Sequence, residues 1–398
     1  MKSAIKPILS LFFLLYAGRL SSQCPSSGAA WMDKIISVED MDDGPAKIKA
    51  LTDLQSQHAS CKAHKDSILA RILHRLGNQY FRTGDVERSI IYTKHAVAIN
   101  SSAVPGAQRH YLANSFFNLG LSYAALNLFS EAADYFDSCI DIGLQFEKTN
   151  LVQWAFEEQA FAFYRAADYQ KAIEVADKGA LFANQSQNTM YEAIMQMQKA
   201  QAALELNNIA EAEKSIRQAL PVLTGKEADT IRMATAYSIY AKLLNAKKDP
   251  RNAAVYYKKA FDLNRKIGNN EQCARDMLDL GRLYDEELND LSKAIACFNE
   301  GLKLNAGKSP HLTSGLFINM GSAYWHRKDY RNALECYQKS LRSFPIGFTG
   351  TAFSDNPTAV MLKLSGNDYF LYTLLSNKGE SLLDLAIKEN QQSLLHTA

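Results

Sequence analysis

The sequence predicts an all-α protein, a right-handed α-solenoid of helix-turn-helix repeats with a period near 40 residues. Composition is the first observation. The 398 residues are rich in Ala, Leu, Lys, Glu and Gln with only 9 Pro and 20 Gly, which favours helices and leaves little material for the turns of an all-β fold. Self-similarity is the second: a Leu-Gly or Met-Gly pair, a Tyr three residues after the Gly, then a small residue and an aromatic one, recurs along most of the chain. The third is a set of short polar connections, Thr83-Gly84-Asp85, Lys248-Asp249-Pro250 and Lys328-Asp329-Tyr330, that suit tight antiparallel helix pairs.

Residues 1–22 read as a signal peptide. Lys2 and Lys6 form its charged region, Ile8 to Ala17 its apolar stretch, and Leu20-Ser21-Ser22 a small-residue cleavage site. The apolar run is too short to span a bilayer and Arg19 interrupts its end, which argues against a membrane anchor. Gln23 before Cys24 argues against a lipoprotein signal. The expectation is therefore an exported protein, periplasmic, secreted or at the cell surface, with no membrane insertion after cleavage. In an exported chain cysteines can oxidise; Cys24 and Cys61 precede the repeats and could bridge. Cys139, Cys273, Cys297 and Cys336 lie along helical patterns and read as small thiols without chemistry.

Residues 23–69 carry Trp31, Ile35, Ile36, Ile48, Leu51 and Leu54 at helical spacing, the pattern of a helix pair capping the first repeat. Residues 70–345 hold about seven repeats, with copies starting near 70, 113, 153, 193, 234, 274 and 314. The clearest signatures are Gly77 with Tyr80, Gly120 with Tyr123, Gly281 with Tyr284 and Gly321 with Tyr324. On second helices they are Ala132 with Phe136, Ala172, Ala212, Ala253 with Tyr257, Ala294 with Phe298 and Ala333 with Tyr337. A mid-helix Gly costs helix propensity, a cost that close approach of a neighbouring helix offsets.

These residues resemble the tetratricopeptide repeat family, in which a small residue marks a helix crossing, an aromatic fills the next gap and a polar turn joins the helices. The resemblance implies a non-catalytic module whose partner is a protein or peptide. The spacing departs from the family's usual 34 residues, so about six extra residues per unit are expected in lengthened helices and longer joins. One further residue between Tyr284 and Ala294 predicts a bulge in the sixth turn.

Residues 346–398 read as a loop followed by an incomplete eighth repeat, a pattern expected of a fragment of something longer. Asp355-Asn356-Pro357, Leu362 to Leu364, Asn367 to Phe370 and the Leu-rich segment to Leu385 are similar to the repeat region upstream of the CHAT peptidase domain in bacterial exported proteins. That resemblance implies a recognition or regulatory half whose peptidase dyad lies outside this chain. The sensor region of a histidine kinase and a free-standing periplasmic or surface scaffold are the alternatives.

Net charge is +2, from 44 basic and 42 acidic side chains, so no global field argues for nucleic acid or an acidic membrane. Gly301 to Ser309 only faintly resembles a phosphate loop: its first Gly is misplaced and a helix precedes it. His58, Cys61 and His64 share a helix face but lack a fourth zinc ligand, and a solvated face beside the Cys24–Cys61 bridge is the expectation. The remaining histidines have no local nucleophile partner. No catalytic residue, metal site or cofactor is predicted.

Function is then expected on first-helix positions lining a concave face. By repeat these are His74, Arg75, Asn78 and Arg82; Asn118; Trp154, Glu158 and Arg165; Gln198 and Gln201; Lys242; Arg275, Asp279 and Arg282; and Asn319 and Trp325. Trp and Arg are the anchors expected of such a face. Some family members grip a C-terminal carboxylate with basic and Asn side chains. His74, Trp154 and Glu158 stand where that clamp needs basic residues, so it is not expected here.

Overall fold

The computed structural model describes residues 24–25, 27–61, 66–102, 108–344, 346–364 and 369–390; residues 1–22, expected to be a signal peptide, and His64 lie outside them. Two compact units divide the chain, residues 1–198 and 199–398. The first contains α1 (Gly28–Glu39), α2 (Pro45–Ser60), α3 (Ser67–Arg82), α4 (Val86–Ser101), α5 (Leu112–Ala125), α6 (Phe129–Gln145), α7 (Thr149–Arg165) and α8 (Tyr169–Gln185). Helix α9 (Thr189–Glu205) crosses the division. The second unit continues with α10 (Ile209–Leu223), α11 (Thr230–Ala246), α12 (Pro250–Lys266), α13 (Asn270–Glu286), α14 (Leu291–Asn305), α15 (Pro310–His326), α16 (Tyr330–Ser343), α17 (Ala359–Leu364) and α18 (Tyr369–Glu389). From α3 to α16 the helices pair as seven antiparallel hairpins.

The chain reverses at most joins by one device. A three-residue turn places its middle residue in the left-handed region, at φ 60° for Asn127, 59° for Ala167, 54° for Asn207 and 63° for Lys248. The turn's third N–H then bonds back five residues, as in Asp85 to Tyr80 O at 2.9 Å and Asp168 to Phe163 O at 2.9 Å, a Schellman closure. That third residue also caps the next helix: Asp85, Asp168, Asn208 and Asn269 accept from the N–H three residues on. The same turn joins successive hairpins, with Glu147 at φ 52° and Gln187 at 54°. Eight of the fourteen helices from α3 to α16 are 17 residues long, so there helix plus turn makes 20 and a hairpin makes 40. The expected longer joins occur at 102–111 and 224–229, and by one residue at 306–309; elsewhere the extra residues lengthen helices. The additional residue of the sixth hairpin falls in its four-residue connection 287–290.

Close approach at the glycines is steric. A Cβ on Gly120 would sit 2.5 Å from the Phe136 ring, one on Gly321 2.5 Å from the Tyr337 ring, and one on Gly281 would strike the Phe298 ring. Phe136, Phe298 and Tyr337 are fully buried, as are the small second-helix residues Ala132, Ala212, Ala253, Ala294 and Ala333. Each aromatic thus plugs the notch left by the glycine of its own hairpin.

At the N-terminal end α1 and α2 bury Trp31, Ile35, Val38, Leu51 and Leu54 against Ile72, Leu76 and Tyr80. The predicted Ile36 is instead exposed. Cys24 and Cys61 are disulfide-bonded, with Cα atoms 5.6 Å apart. His58 is buried rather than solvated: its ring meets Trp31 edge-on and Nε2 lies 3.1 Å from Asp66 Oδ1. At the C-terminal end α18 packs on α15 and α16, and Phe344, Ile346, Phe348, Leu371 and Leu374 extend the core around Tyr337 and Leu341. Buried Lys378 on α18 pins the intervening loop by donating to Asp355 O and, at 2.8 Å, to Asn356 Oδ1. Residues 391–398, the end of the expected incomplete eighth repeat, lie outside the described residues.

Gly281→Ala is expected to destabilise unit 2 by about 1–3 kcal/mol through overpacking, and Phe298→Leu in that background to recover part of the loss. Urea unfolding of the four members of this cycle checks both.

Candidate binding face

The first helices α3, α5 and α7 neighbour one another in unit 1, and α13 neighbours α15 in unit 2. The predicted face residues do lie on first helices, but their surroundings differ by repeat. In the first repeat the cap occupies the basic positions. Arg75 Nε pairs with Glu39, while Arg82 reaches Asp43 Oδ2 at 2.7 Å and Asn78 Oδ1 at 3.0 Å. Together with Lys47, Leu51 and Gln79 they line a cleft of ≈ 280 Å³. Arg82 and Lys47 hold the Asp43 carboxyl below its ordinary range. These contacts fasten Arg75 and Arg82 to the cap.

His74 faces α5, its Nδ1 3.1 Å from Ser115 Oγ. Burial, reinforced by Arg75, Arg71 and Lys148, lowers its pKa to about 3. Asn118 is buried, its Nδ2 donating to no acceptor among the described residues, and so belongs to the packing between helices.

Helix α7 presents an open stripe. Trp154, Glu158, Phe161 and Arg165 follow a 4-3-4 spacing on one side, with Trp154 53% and Phe161 43% exposed. Phe117 of α5 stands 6.5 Å from the Trp154 ring, and the Arg165 guanidinium lies 4.8 Å from the Phe129 ring centroid and 5.8 Å from that of Phe161. A cleft of ≈ 410 Å³ lined by Asn114, Lys148, Leu151 and Trp154 adjoins one end. Phe161 was missed in the sequence reading, although its place seven residues after Trp154 signals it. Gln198 donates to Glu157 O at 3.2 Å.

In unit 2 a cleft of ≈ 260 Å³ lies among Leu204, Glu205, Lys242, Asn245, Ala246, Tyr257, Asp279, Arg282, Leu283 and Glu286, close to Gln201 in sequence. Its charges are loosely paired, Lys242 to Asp279 at 3.7 Å and Arg282 to Glu286 at 3.5 Å. One turn before Asp279, buried Asp276 accepts from Ser238 at 3.0 Å and Asn264 at 2.7 Å. Burial outweighs these bonds and raises its pKa to about 6. Nothing in the periodicity marked Asp276, because a carboxylate at a core position runs against the pattern. Arg275 pairs along its own helix with Glu271 at 2.8 Å, and Asn319 turns back to Gly315 O at 2.8 Å. Trp325 is no open anchor: α18 covers it, and its Nε1 donates to Asp384 at 2.8 Å.

Among the described residues no group of His, Cys, Asp and Glu side chains could hold a metal ion. Gly307-Lys308-Ser309 forms a helix-to-helix turn whose Ser309 caps α15. Burial raises the thiols of Cys139 and Cys336 to about 12 and those of Cys273 and Cys297 to about 11, leaving no thiolate for nucleophilic work.

Because its folded pKa is depressed, neutral His74 is favoured in the folded state, and the unfolded chain binds the extra proton as pH falls below 6.5. Stability should therefore drop between about pH 6.5 and pH 3, and His74→Gln should flatten that part of a urea-midpoint profile against pH.

Tetratricopeptide repeat models match residues 68–145, 232–305 and 315–346. Beta-soluble NSF attachment protein of Bos taurus is 28% identical over 129 residues, 32% of this chain and 40% of that protein, so the chain spans less than half of the relative's length. The apo form of RapI superposes with a TM-score of 0.57 at 14% identity, covering 69% of this chain and 97% of RapI. The apo form of the quorum sensor NprR from B. thuringiensis gives 0.59 at 12% identity, over 92% and 95% of the two chains. With seven glycine- or alanine-notched hairpins and these matches, the chain is a tetratricopeptide-repeat protein.

Proposed function

We propose that this chain is an exported, non-catalytic tetratricopeptide module that binds a protein or peptide, and that it is the recognition or regulatory half of a larger protein carrying a CHAT peptidase domain. The observation that carries the binding reading is the α7 stripe, where two large aromatic side chains stay open to solvent beside Arg165. Exposed aromatic and Arg side chains on one helix face are the residue types that dominate interfaces. RapI and NprR support a binding module only through the shared fold. Export is supported by the charged and apolar pattern of residues 1–22 and by the Cys24–Cys61 bridge, which suits an oxidising compartment. The CHAT assignment rests on the resemblance of residues 355–385.

Cross-linking of the chain to its partners in the exporting cell tests the binding reading. Trp154→Ala with Phe161→Ser should abolish partner capture, while Leu181→Ser, on the 61% exposed side chain of a second helix, should retain it. Equal capture by all three proteins overturns the reading. N-terminal sequencing of the recovered chain should begin at Gln23, and an intact N-terminus would sink the export assignment.

A further inference from the structure

We propose that the segment bound along the α7 stripe carries an aspartate or glutamate whose carboxylate seats on Lys148, in a region of positive charge completed by Arg71. The inference deepens the reading that the stripe binds a protein or peptide, and rests on it. Lys148 stands in the turn before α7 and, with Trp154, lines the ≈ 410 Å³ cleft at the end of the stripe. Its ammonium donates to the neutral Asn114 side chain at 2.8 Å and lies 5.6 Å from the Tyr111 ring centroid. The Arg71 guanidinium lies 5.2 Å from the same centroid and donates to the Tyr111 hydroxyl at 2.6 Å. Both cations are half-buried, and neither forms an ion pair among the described residues. The segments of unit 1 outside those residues contain no Asp or Glu that could supply one. Half-buried cations without a counter-ion carry a desolvation cost that an incoming carboxylate offsets.

No fixed negative charge cancels this field. Glu147, the one carboxylate lining the cleft, is exposed and forms no ion pair with its neighbour Lys148. Burial lowers the Lys148 pKa, and what opposes it is the Cys139 thiol rather than a carboxylate. Two imidazoles register both cations. Burial first, then Lys148 and Arg71, depresses the His110 pKa, and at His74 the paired Arg75 joins them. Exposed Arg109, two residues before Tyr111, is a further cation with no ion pair among the described residues. The start of α7 has the same preference. Lys148 occupies the turn position from which Asp85, Asp168 and Asn208 cap their helices, so α7 has no side-chain cap and its first turn is open to a carboxylate from outside the chain. Trp154 offers apolar surface in the same cleft, so the recognised pair is an acidic residue close to a large apolar one.

The test uses fluorescence anisotropy of the chain with three amidated peptides bearing an uncharged dye: Ala-Leu-Ala-Glu-Ala-Leu-Ala, and the same sequence with Gln or Lys in place of Glu. The Glu peptide should bind about tenfold more tightly than the Gln peptide, a difference of one charge-assisted contact, and the Lys peptide should bind more weakly still. Lys148→Met, which keeps the stem, should remove most of the preference for Glu, and Arg71→Gln should reduce it about threefold. Lys171→Met, at a lysine of α8 whose side chain is 59% exposed, should leave it unchanged. Circular dichroism melts establish that each variant is folded. Equal binding of the Glu and Gln peptides, no binding of the Glu peptide by the folded chain, or a preference for Glu that survives Lys148→Met combined with Arg71→Gln would each overturn the proposal. Each of these leaves partner capture through Trp154 and Phe161 intact, whereas failure of the general reading would show as undiminished capture by the Trp154 and Phe161 variant.

Discussion

The structure depends on one repeated constraint, a three-residue turn that closes one helix and caps the next. Its middle residue must enter the left-handed region, which costs about 1 kcal/mol or more for a residue with a Cβ. Asn127, Ala167, Asn207 and Lys248 accept that cost because the turn satisfies backbone groups that would otherwise be left without partners. Since the same turn serves within and between hairpins, helix length becomes the variable that sets the period. Seventeen residues of helix raise each repeat to 40, and each first helix spans about 25 Å of potential contact surface.

Within that frame the packing alternates notch and plug. Gly120, Gly281 and Gly321 let aromatic rings of the partner helix lie against the backbone. The middle repeats replace Gly by Ala160, Ala200 and Ala241, all fully buried. Close packing of this kind transmits small volume changes directly into strain, so the hairpins tolerate variety on their surfaces and little at the notches.

The ends narrow that surface further. A stacked array exposes apolar faces at both termini unless something covers them. At one end α1 and α2 do so, and their carboxylates Glu39 and Asp43 draw in Arg75 and Arg82. At the other, α18 covers Trp325 and Lys378 ties down the loop before it. Three residues of the expected binding face, Arg75, Arg82 and Trp325, are thereby engaged in closing the stack. What stays open is the α7 stripe in one unit and a cleft of loosely paired charges in the other.

Fold class, repeat number and the notch and plug positions were legible in the sequence, because each depends on local spacing and residue size: Gly77 to Gly321 and Ala132 to Ala333 read the same way in one dimension as in three. The Cys24–Cys61 pairing was open to inference for a similar reason, being the two cysteines ahead of the repeats. The condition of each face residue was not legible. Spacing places Arg75, Arg82, Asn118 and Trp325 on first helices, but whether such a side chain meets solvent, a carboxylate of the cap or a later helix depends on chain segments 30 to 60 residues away. Only tertiary structure decides those contacts, and it alone shows Asp276 and Lys378 buried where a pattern of apolar positions has no place for charge.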